Sequence, residues 1–125
     1  TASDETIALA NSFVKSLAKD AVQVVDRAGF IVNALLFPYL NSAIAMLEAG
    51  TATMEDIDVA MKGGCNFPMG PFALLDLVGL DTSVSILEAL FAEFKTANLE
   101  PRPMLRKLVG EGKLGRKTKQ GFYSY

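Results

Sequence analysis

The sequence contains no histidine and no tryptophan, and Cys65 is its one cysteine. Without histidine, the chain lacks the side chain that most readily transfers protons near neutral pH and that most often binds metals. A single cysteine excludes an internal disulfide and a zinc site built from several thiolates. Ser-His and Cys-His catalytic arrangements are therefore impossible here. We expect no metal site, and these residues do not make a complete enzyme by themselves.

The sequence has little net charge and lacks two common phosphate-binding motifs. Twelve Lys and Arg residues against 14 Asp and Glu residues give a net charge of -2, so there is no basic footprint for nucleic acid. Neither a GxGxxG loop nor a Walker loop is present. The start of the sequence has no basic-then-apolar signal pattern, and the single cysteine suits a reducing compartment. We expect a cytoplasmic protein.

Residues 28–47 form a long run without charge, which is too apolar for a surface helix. At helical spacing, one stripe of this run holds Phe30, Asn33, Phe37, Leu40, Ile44 and Leu47. An amide on a buried stripe must find hydrogen-bond partners or destabilise the fold. Asn33 is therefore either a structural latch or a group directed at a ligand.

The same run is long enough to cross a membrane. Polar residues and Pro38 interrupt it, and no cluster of Lys and Arg flanks it. We favour a helix enclosed by other helices, some of them from a second subunit, because a chain of 125 residues has limited capacity to surround it alone.

The other segments divide the chain unevenly. An amphipathic helix is predicted over residues 3–19 and a short strand over 21–26; one helix and one strand cannot make a sheet, so this part resembles the end of a larger α/β unit. Further helices are predicted over residues 53–62, 71–79, 81–97 and 104–111, with Thr53 and Asp81 as N-caps and Pro71 as a first helical residue. The fold class is all-α, with about five helices after the α/β remnant.

Three segments, read in order, resemble one family. DRAGFIVNALLFPYL, GGCNFPMGPFALLDLVGLD and LVGEGKLGRKTKQGFYSY are similar to successive blocks of the C-terminal domain of L-3-hydroxyacyl-CoA dehydrogenases, including bacterial 3-hydroxybutyryl-CoA dehydrogenases. Residues 1–27 resemble the last helix and strand of the family's NAD-binding domain. The resemblance therefore covers essentially the whole chain, with a helical dimerisation domain over residues 28–125.

The resemblance implies a two-domain oxidoreductase that interconverts (S)-3-hydroxyacyl-CoA and 3-oxoacyl-CoA with NAD. It implies that the catalytic His-Glu pair and the glycine-rich NAD loop lie upstream, so that this chain alone is inactive. The helical domain closes the acyl-CoA cleft and forms a homodimer in such enzymes. We expect no nucleic-acid or membrane partner.

Two site residues follow from the resemblance. Asn33 matches the asparagine of the GFIVN motif, which reaches the active site beside the catalytic histidine, and it is the catalytic candidate. Lys117 matches a lysine of the GKKTG tail that contacts the cofactor, and it is the cofactor-binding candidate. The sequence departs from the family pattern at two positions: Lys119 stands where the family usually has a glycine in a tight turn, and Ala34 stands where relatives often have an arginine.

Other residues of the matching blocks carry weaker predictions. Phe67, Pro68 and Met69 either line the acyl-chain pocket or belong to the core. Asp76 is predicted to fix a loop or cap through hydrogen bonds. The acids of TMEDID, which include Asp58, are interpreted as the first turn of a helix.

Two alternatives from other classes stay open at this point. One is a self-standing helical interaction module, which would have no GxGxxG region encoded upstream. The other is the C-terminal domain of a different β-hydroxyacid dehydrogenase, which would act on free hydroxy acids in place of coenzyme A thioesters.

Overall fold

The computed structural model describes residues 27–125, and within that range it contains α-helices and no β-strand. The helices are α1 (Arg27–Glu48), α2 (Met54–Gly64), α3 (Pro71–Val78), α4 (Leu80–Phe94) and α5 (Pro103–Gly110), with single 3-10 turns at Ala97–Leu99 and Arg116–Thr118. The all-α prediction is confirmed. The helix and strand predicted over residues 3–26 lie outside the described residues.

The chain divides into two compact units, residues 1–36 and residues 37–125. Helix α1 contributes its first residues to one unit and its remaining residues to the other. The domain boundary that the sequence places after residue 27 stays a prediction.

The core of the second unit is built on the stripe of α1. Phe37, Leu40 and Ile44 are fully buried, as their three- and four-residue spacing predicts. They share that burial with side chains from the other helices: Phe72, Leu75, Leu80, Leu87 and Leu105. In the first unit the prediction is wrong for Phe30, which is 49% exposed. Helical periodicity identifies a face, but it does not determine how far along the helix that face is covered.

Asn41 lies on α1 and is 2% exposed, and it binds the backbone that leads into α5. Its Nδ2 donates to the carbonyl oxygens of Asn98 at 3.1 Å and Glu100 at 2.7 Å. Its Oδ1 accepts from the backbone N–H of Arg102 at 3.1 Å. The amide thus satisfies three backbone groups that no helix pairs, and it fixes the α4–α5 connection onto α1.

Glu48, the last residue of α1, completes this attachment. One carboxylate oxygen accepts from Arg102 Nε at 2.6 Å, and the other accepts from the backbone N–H of Met104 at 2.9 Å. Met104 is in the first turn of α5, where N–H groups lack intrahelical partners and favour a negative charge. A side chain from α1 therefore caps α5.

Local signals placed most helix ends correctly. Thr53 caps α2 by accepting from the Asp56 N–H at 3.2 Å, and Pro71 is the first residue of α3. The cap predicted at Asp81 is wrong, because α4 begins at Leu80 with Gly79 before it. Gly79 ends α3 and precedes α4 with φ +103°, a conformation that favours glycine, so one residue makes the turn between the helices.

The long helix retains the composition that raised the membrane question. An 18-residue window within Gly29–Glu48 has a mean hydropathy of 1.7, and 28% of that window is buried. By length and composition alone this helix could cross a bilayer. The core helix of a soluble protein has the same properties, and Phe37, Leu40 and Ile44 serve as core here.

Replacing Asn41 with Ala is expected to destabilise the fold by about 3 kcal/mol, because it removes three hydrogen bonds to two carbonyls and one N–H that are partly buried. Urea unfolding measures this loss. Ser42→Ala is the matched control, since Ser42 is the exposed neighbour on the same helix, and its midpoint should stay unchanged. Equal midpoints for the two variants would contradict the latch role of Asn41.

Candidate functional site

Asn33 lies in the part of α1 that belongs to the first unit. Its Oδ1 is buried, and among the described residues this oxygen has no hydrogen-bond partner. Leaving a buried acceptor unpaired costs about 1–3 kcal/mol, so such an atom calls for a specific explanation. None of the described residues uses the hydrogen-bonding capacity of this oxygen.

The residues around Asn33 in sequence are apolar and exposed. Leu35 is 71% exposed, and Phe30, Ile31 and Val32 are also exposed. Contiguous large apolar side chains at a surface mark a face that binds another molecule or another part of a protein. At 100° per residue, Ile31, Val32 and Leu35 project from the side of α1 opposite to Asn33, so the amide does not lie within this apolar face.

Asp76 of α3 binds the C-terminal tail, which we define as residues 111–125. This carboxylate is 1% exposed. Its oxygens accept from the backbone N–H groups of Phe122 at 2.8 Å and Tyr123 at 2.9 Å, and from the Tyr125 hydroxyl at 2.7 Å. The prediction that Asp76 fixes a loop through hydrogen bonds is confirmed. The predicted docking of the aromatic tail is confirmed by the same contacts.

Glycines allow the tail to approach this close to α3. A Cβ on Gly115 would collide with the Asp76 carbonyl oxygen, and one on Gly121 would collide with Asp76 Oδ1. Gly115 also has φ +109°, which side chains rarely adopt. These two glycines are therefore required for the tail to pack against α3.

Asp58 has a role that the sequence analysis missed. It was interpreted as part of the first turn of α2, but it is buried and caps α3. Its oxygens accept from the backbone N–H groups of Phe72 at 2.8 Å and Ala73 at 3.1 Å, and from the Tyr123 hydroxyl at 2.7 Å. One carboxylate thus joins α2, α3 and the tail. No local signal could have revealed this, because its partners lie 14 to 65 residues away.

Lys117 lies in the 3-10 turn of the tail, Arg116–Thr118. The Thr118 hydroxyl fixes this turn: it accepts from the Leu114 N–H at 2.9 Å, and its one proton is within reach of the backbone oxygens of Gln120 at 2.9 Å and Gly115 at 3.2 Å. Lys119, which replaces the usual glycine, has φ +63° and so keeps a left-handed turn. The departure at Lys119 therefore leaves the turn in place at some conformational cost.

The Lys117 ammonium forms an ion pair with Asp81. Its Nζ lies 2.7 Å from one carboxylate oxygen of Asp81 and 2.9 Å from the other. Partial burial alone would raise the pKa of Asp81, but hydrogen bonds from Lys117 and the Thr82 N–H, with the Lys117 charge, hold the pKa below its ordinary value. Asp81 is therefore ionised at neutral pH and faces a cation.

The PMGP loop borders a shallow cleft with a volume of about 390 Å³. Pro68, Met69 and Gly70 line it together with Asp58 and Tyr123. Phe67 and Pro68 are both exposed, so neither residue belongs to the core. The core alternative for these two residues is wrong, and the assignment of the loop to an acyl-chain pocket stays a prediction.

Tyr39 carries the second unpaired buried group. Its hydroxyl has no hydrogen-bond partner among the described residues, and its ring lies edge-on to Phe67 with centroids 5.8 Å apart. Burial, and then the negative charge of Asp58, raise the pKa of Tyr39 to about 12. Burial and the hydrogen bond to Asp58 also raise the pKa of Tyr123. Both phenols are neutral donors at physiological pH.

Tyr39 and Tyr123 allow a matched test of how much a phenol hydrogen bond contributes to the free energy of unfolding. Tyr123→Phe should destabilise the fold by about 2 kcal/mol, because it removes a donor from the buried Asp58 carboxylate. Tyr39→Phe should change stability by less than about 0.5 kcal/mol or increase it, because that hydroxyl is unpaired. Urea unfolding of both variants measures the difference. A larger loss for Tyr39→Phe would show that its hydroxyl has a partner.

The two predicted site residues lie in different units, Asn33 in the first and Lys117 in the second. Among the described residues, the Asn33 Oδ1 has no hydrogen-bond partner, and Lys117 forms an exposed ion pair with Asp81. No group of three or more His, Cys, Asp or Glu side chains within residues 27–125 could hold a metal.

The described residues form a helical domain with a docked C-terminal tail. The family model of the 3-hydroxyacyl-CoA dehydrogenase C-terminal domain matches residues 29–125, and the chain belongs to this family. The resemblance inferred from the three segments is therefore confirmed.

The chain is similar to particular members of the family. A 3-hydroxybutyryl-CoA dehydrogenase from Mycobacterium tuberculosis is 53% identical over 109 residues, which cover 87% of this chain and 38% of that protein. The human mitochondrial hydroxyacyl-coenzyme A dehydrogenase is 52% identical over 115 residues, 90% of this chain and 36% of that protein. The chain thus spans less than half the length of these curated relatives.

Solved structures agree with the sequence comparison. The crystal structure of M. tuberculosis FadB2 matches with a TM-score of 0.76 and 55% identity, over 80% of this chain and 35% of that one. The (S)-3-hydroxybutyryl-CoA dehydrogenase PaaH1 from Ralstonia eutropha matches with a TM-score of 0.73 and 45% identity, over 76% of this chain and 34% of that one.

Proposed function

We propose that this chain forms the C-terminal helical domain of a cytoplasmic dehydrogenase that interconverts (S)-3-hydroxyacyl-CoA and 3-oxoacyl-CoA with NAD. Family membership supports the reaction class, and the names of the relatives support acyl-CoA as the substrate. The observation that carries the assignment of a site is the buried, unpaired Oδ1 of Asn33. We take 3-hydroxybutyryl-CoA as the first substrate to test.

Asn33 is the group that this chain contributes to the reacting centre. Its Oδ1 can accept a hydrogen bond from a donor that arrives with the substrate or with the preceding domain. A helical backbone holds the amide in place, so the contact needs little reorganisation as the 3-hydroxyl becomes a carbonyl. The chain has no histidine, and proton transfer is therefore assigned to residues outside it.

Lys117 is the group that this chain contributes to the cofactor. NAD, when bound, supplies the acceptor for the hydride that leaves C3 of the acyl chain. The Lys117 ammonium has a third N–H besides the two directed at Asp81, and it is partly exposed, so its charge chemistry fits a phosphate oxygen. Most of the cofactor contacts are assigned to the glycine-rich loop upstream.

Asn33→Ala in the full-length gene product should lower kcat about 100-fold, the usual effect of removing one preorganised hydrogen bond from the transition state. The assay is NADH formation from 3-hydroxybutyryl-CoA, compared with free 3-hydroxybutyrate, which should not react. The same variant should keep or increase its stability to urea, because it removes an unpaired acceptor.

The control for this test is Asn98→Ala, which removes an exposed amide and should leave kcat unchanged. A loss of stability in Asn33→Ala with normal activity would make Asn33 a structural latch. Turnover of the free acid in preference to the thioester would indicate a different β-hydroxyacid dehydrogenase.

A homodimer is part of the proposed function. We expect the apolar helix surfaces of residues 30–49 and 81–97 to form the interface. Exposed apolar side chains remain in both segments, Met46 in α1 and Phe94 in α4. Large apolar side chains in helices that flank a core are typical of self-complementary interfaces. Partners of other kinds, nucleic acid and membranes, are not expected.

Sedimentation velocity of the full-length protein at micromolar concentration should give the mass of a dimer. Met46→Lys should shift it toward the monomer, because a buried lysine without a partner opposes association. Val59→Lys is the control, since Val59 is similarly exposed but lies on α2, outside the expected interface. A monomeric parent protein, or equal effects of both variants, would refute this interface.

A further inference from the structure

Asp81 and Lys117 form an ion pair between two backbone segments that are hydrogen-bonded to each other. Asp81 is in the first turn of α4, and Lys117 is in the 3-10 turn of the tail, 36 residues later. The Leu80 N–H donates to the Leu114 carbonyl at 3.0 Å, which ties the start of α4 to the start of that turn. The two side chains therefore extend from backbones that are already joined.

Gly79 leaves space for the pair. A Cβ at this position would lie 3.1 Å from Asp81 Oδ1 and 3.3 Å from Lys117 Nζ, which is tighter than usual contact distances. The ammonium thus lies directly above the turn between α3 and α4. Its position is defined by backbone as well as by charge.

This ion pair is too exposed to contribute much to folding. Pairs between exposed side chains contribute little to stability, and salt screens them. The main physical effect of this pair is on the freedom of Lys117. Fixing a lysine side chain costs conformational entropy, and a lysine that is already held does not lose that freedom again when a ligand binds.

We propose that Asp81 is a positioning residue: its carboxylate holds two N–H groups of Lys117 so that the third is directed at a phosphate of the dinucleotide. This inference rests on the proposed function, because it requires Lys117 to contact the cofactor. Asp81 itself touches neither substrate nor cofactor. Two of three ammonium donors satisfied within the protein leave one defined direction for an anion.

The test compares Asp81→Ala with Asp81→Asn in the full-length gene product, by fluorescence titration with NADH. Both variants remove the charge, but the amide of Asn keeps one acceptor for Lys117. We expect the Kd for NADH to rise about tenfold in Asp81→Ala and about threefold in Asp81→Asn, since an entropy loss of about 1.4 kcal/mol equals a factor of ten. The KM for the acyl-CoA substrate should stay unchanged.

Glu88→Gln is the matched control. Glu88 lies on α4, as Asp81 does, and forms a similar exposed ion pair with Arg106 of α5 at 2.8 Å. It should lose as little stability as the Asp81 variants and keep the parent Kd. The double variant Asp81→Ala with Lys117→Met should match Lys117→Met alone, because Asp81 acts only through Lys117.

Each other result counts against the inference. If both Asp81 variants bind NADH as tightly as the parent protein, or more tightly, removal of the negative charge of Asp81 outweighs the positioning of Lys117, and the inference fails. If Lys117→Met weakens binding while Asp81→Ala does not, only the positioning role is lost and the cofactor contact stands. If Lys117→Met has no effect, both the proposed cofactor contact and this inference are overturned.

Discussion

The second unit depends on two buried carboxylates, Asp58 and Asp76, which bind the C-terminal tail to α2 and α3. Within the described residues neither carboxylate is paired with a cation, and each is stabilised by backbone N–H and phenol donors. Burying a carboxylate is costly unless every oxygen accepts hydrogen bonds, and charge-assisted bonds of this kind are strong. The arrangement therefore fixes the tail, because releasing it would remove donors from both buried carboxylates.

That constraint reaches the proposed cofactor contact. Asp76 fixes the end of the tail at Phe122 and Tyr123, and the Leu114 carbonyl fixes its beginning, so the turn that carries Lys117 is held at both ends. A lysine on a free terminus would sample many directions. Here the same side chain lies on a closed loop whose turn is further bonded through the Thr118 hydroxyl.

The sequence predicted the parts of this fold whose causes are local. Thr53 determines a helix end through its side-chain oxygen, and Pro71 and Gly79 do so through their backbone preferences. Those ends are correct to within a residue. Asn41 and Asp58 were missed because their partners are distant in sequence, and nothing near them indicates a bond to the α5 entry or to the tail. The candidate site came from the resemblance: periodicity alone left Asn33 undecided, and an ordinary charged tail would look the same as the one that carries Lys117.

Two asparagines of α1 show how the same side chain can serve structure or binding. Asn41 has three bonds, all to backbone groups of the connection before α5, and its hydrogen-bonding capacity is nearly used. Asn33 has a buried oxygen that nothing in residues 27–125 satisfies. An unpaired acceptor of this kind is a liability in a latch but an advantage in a binding group, because its desolvation is already complete before the donor arrives. The contrast between the two amides is therefore the physical reason to assign Asn33 to binding and Asn41 to the fold.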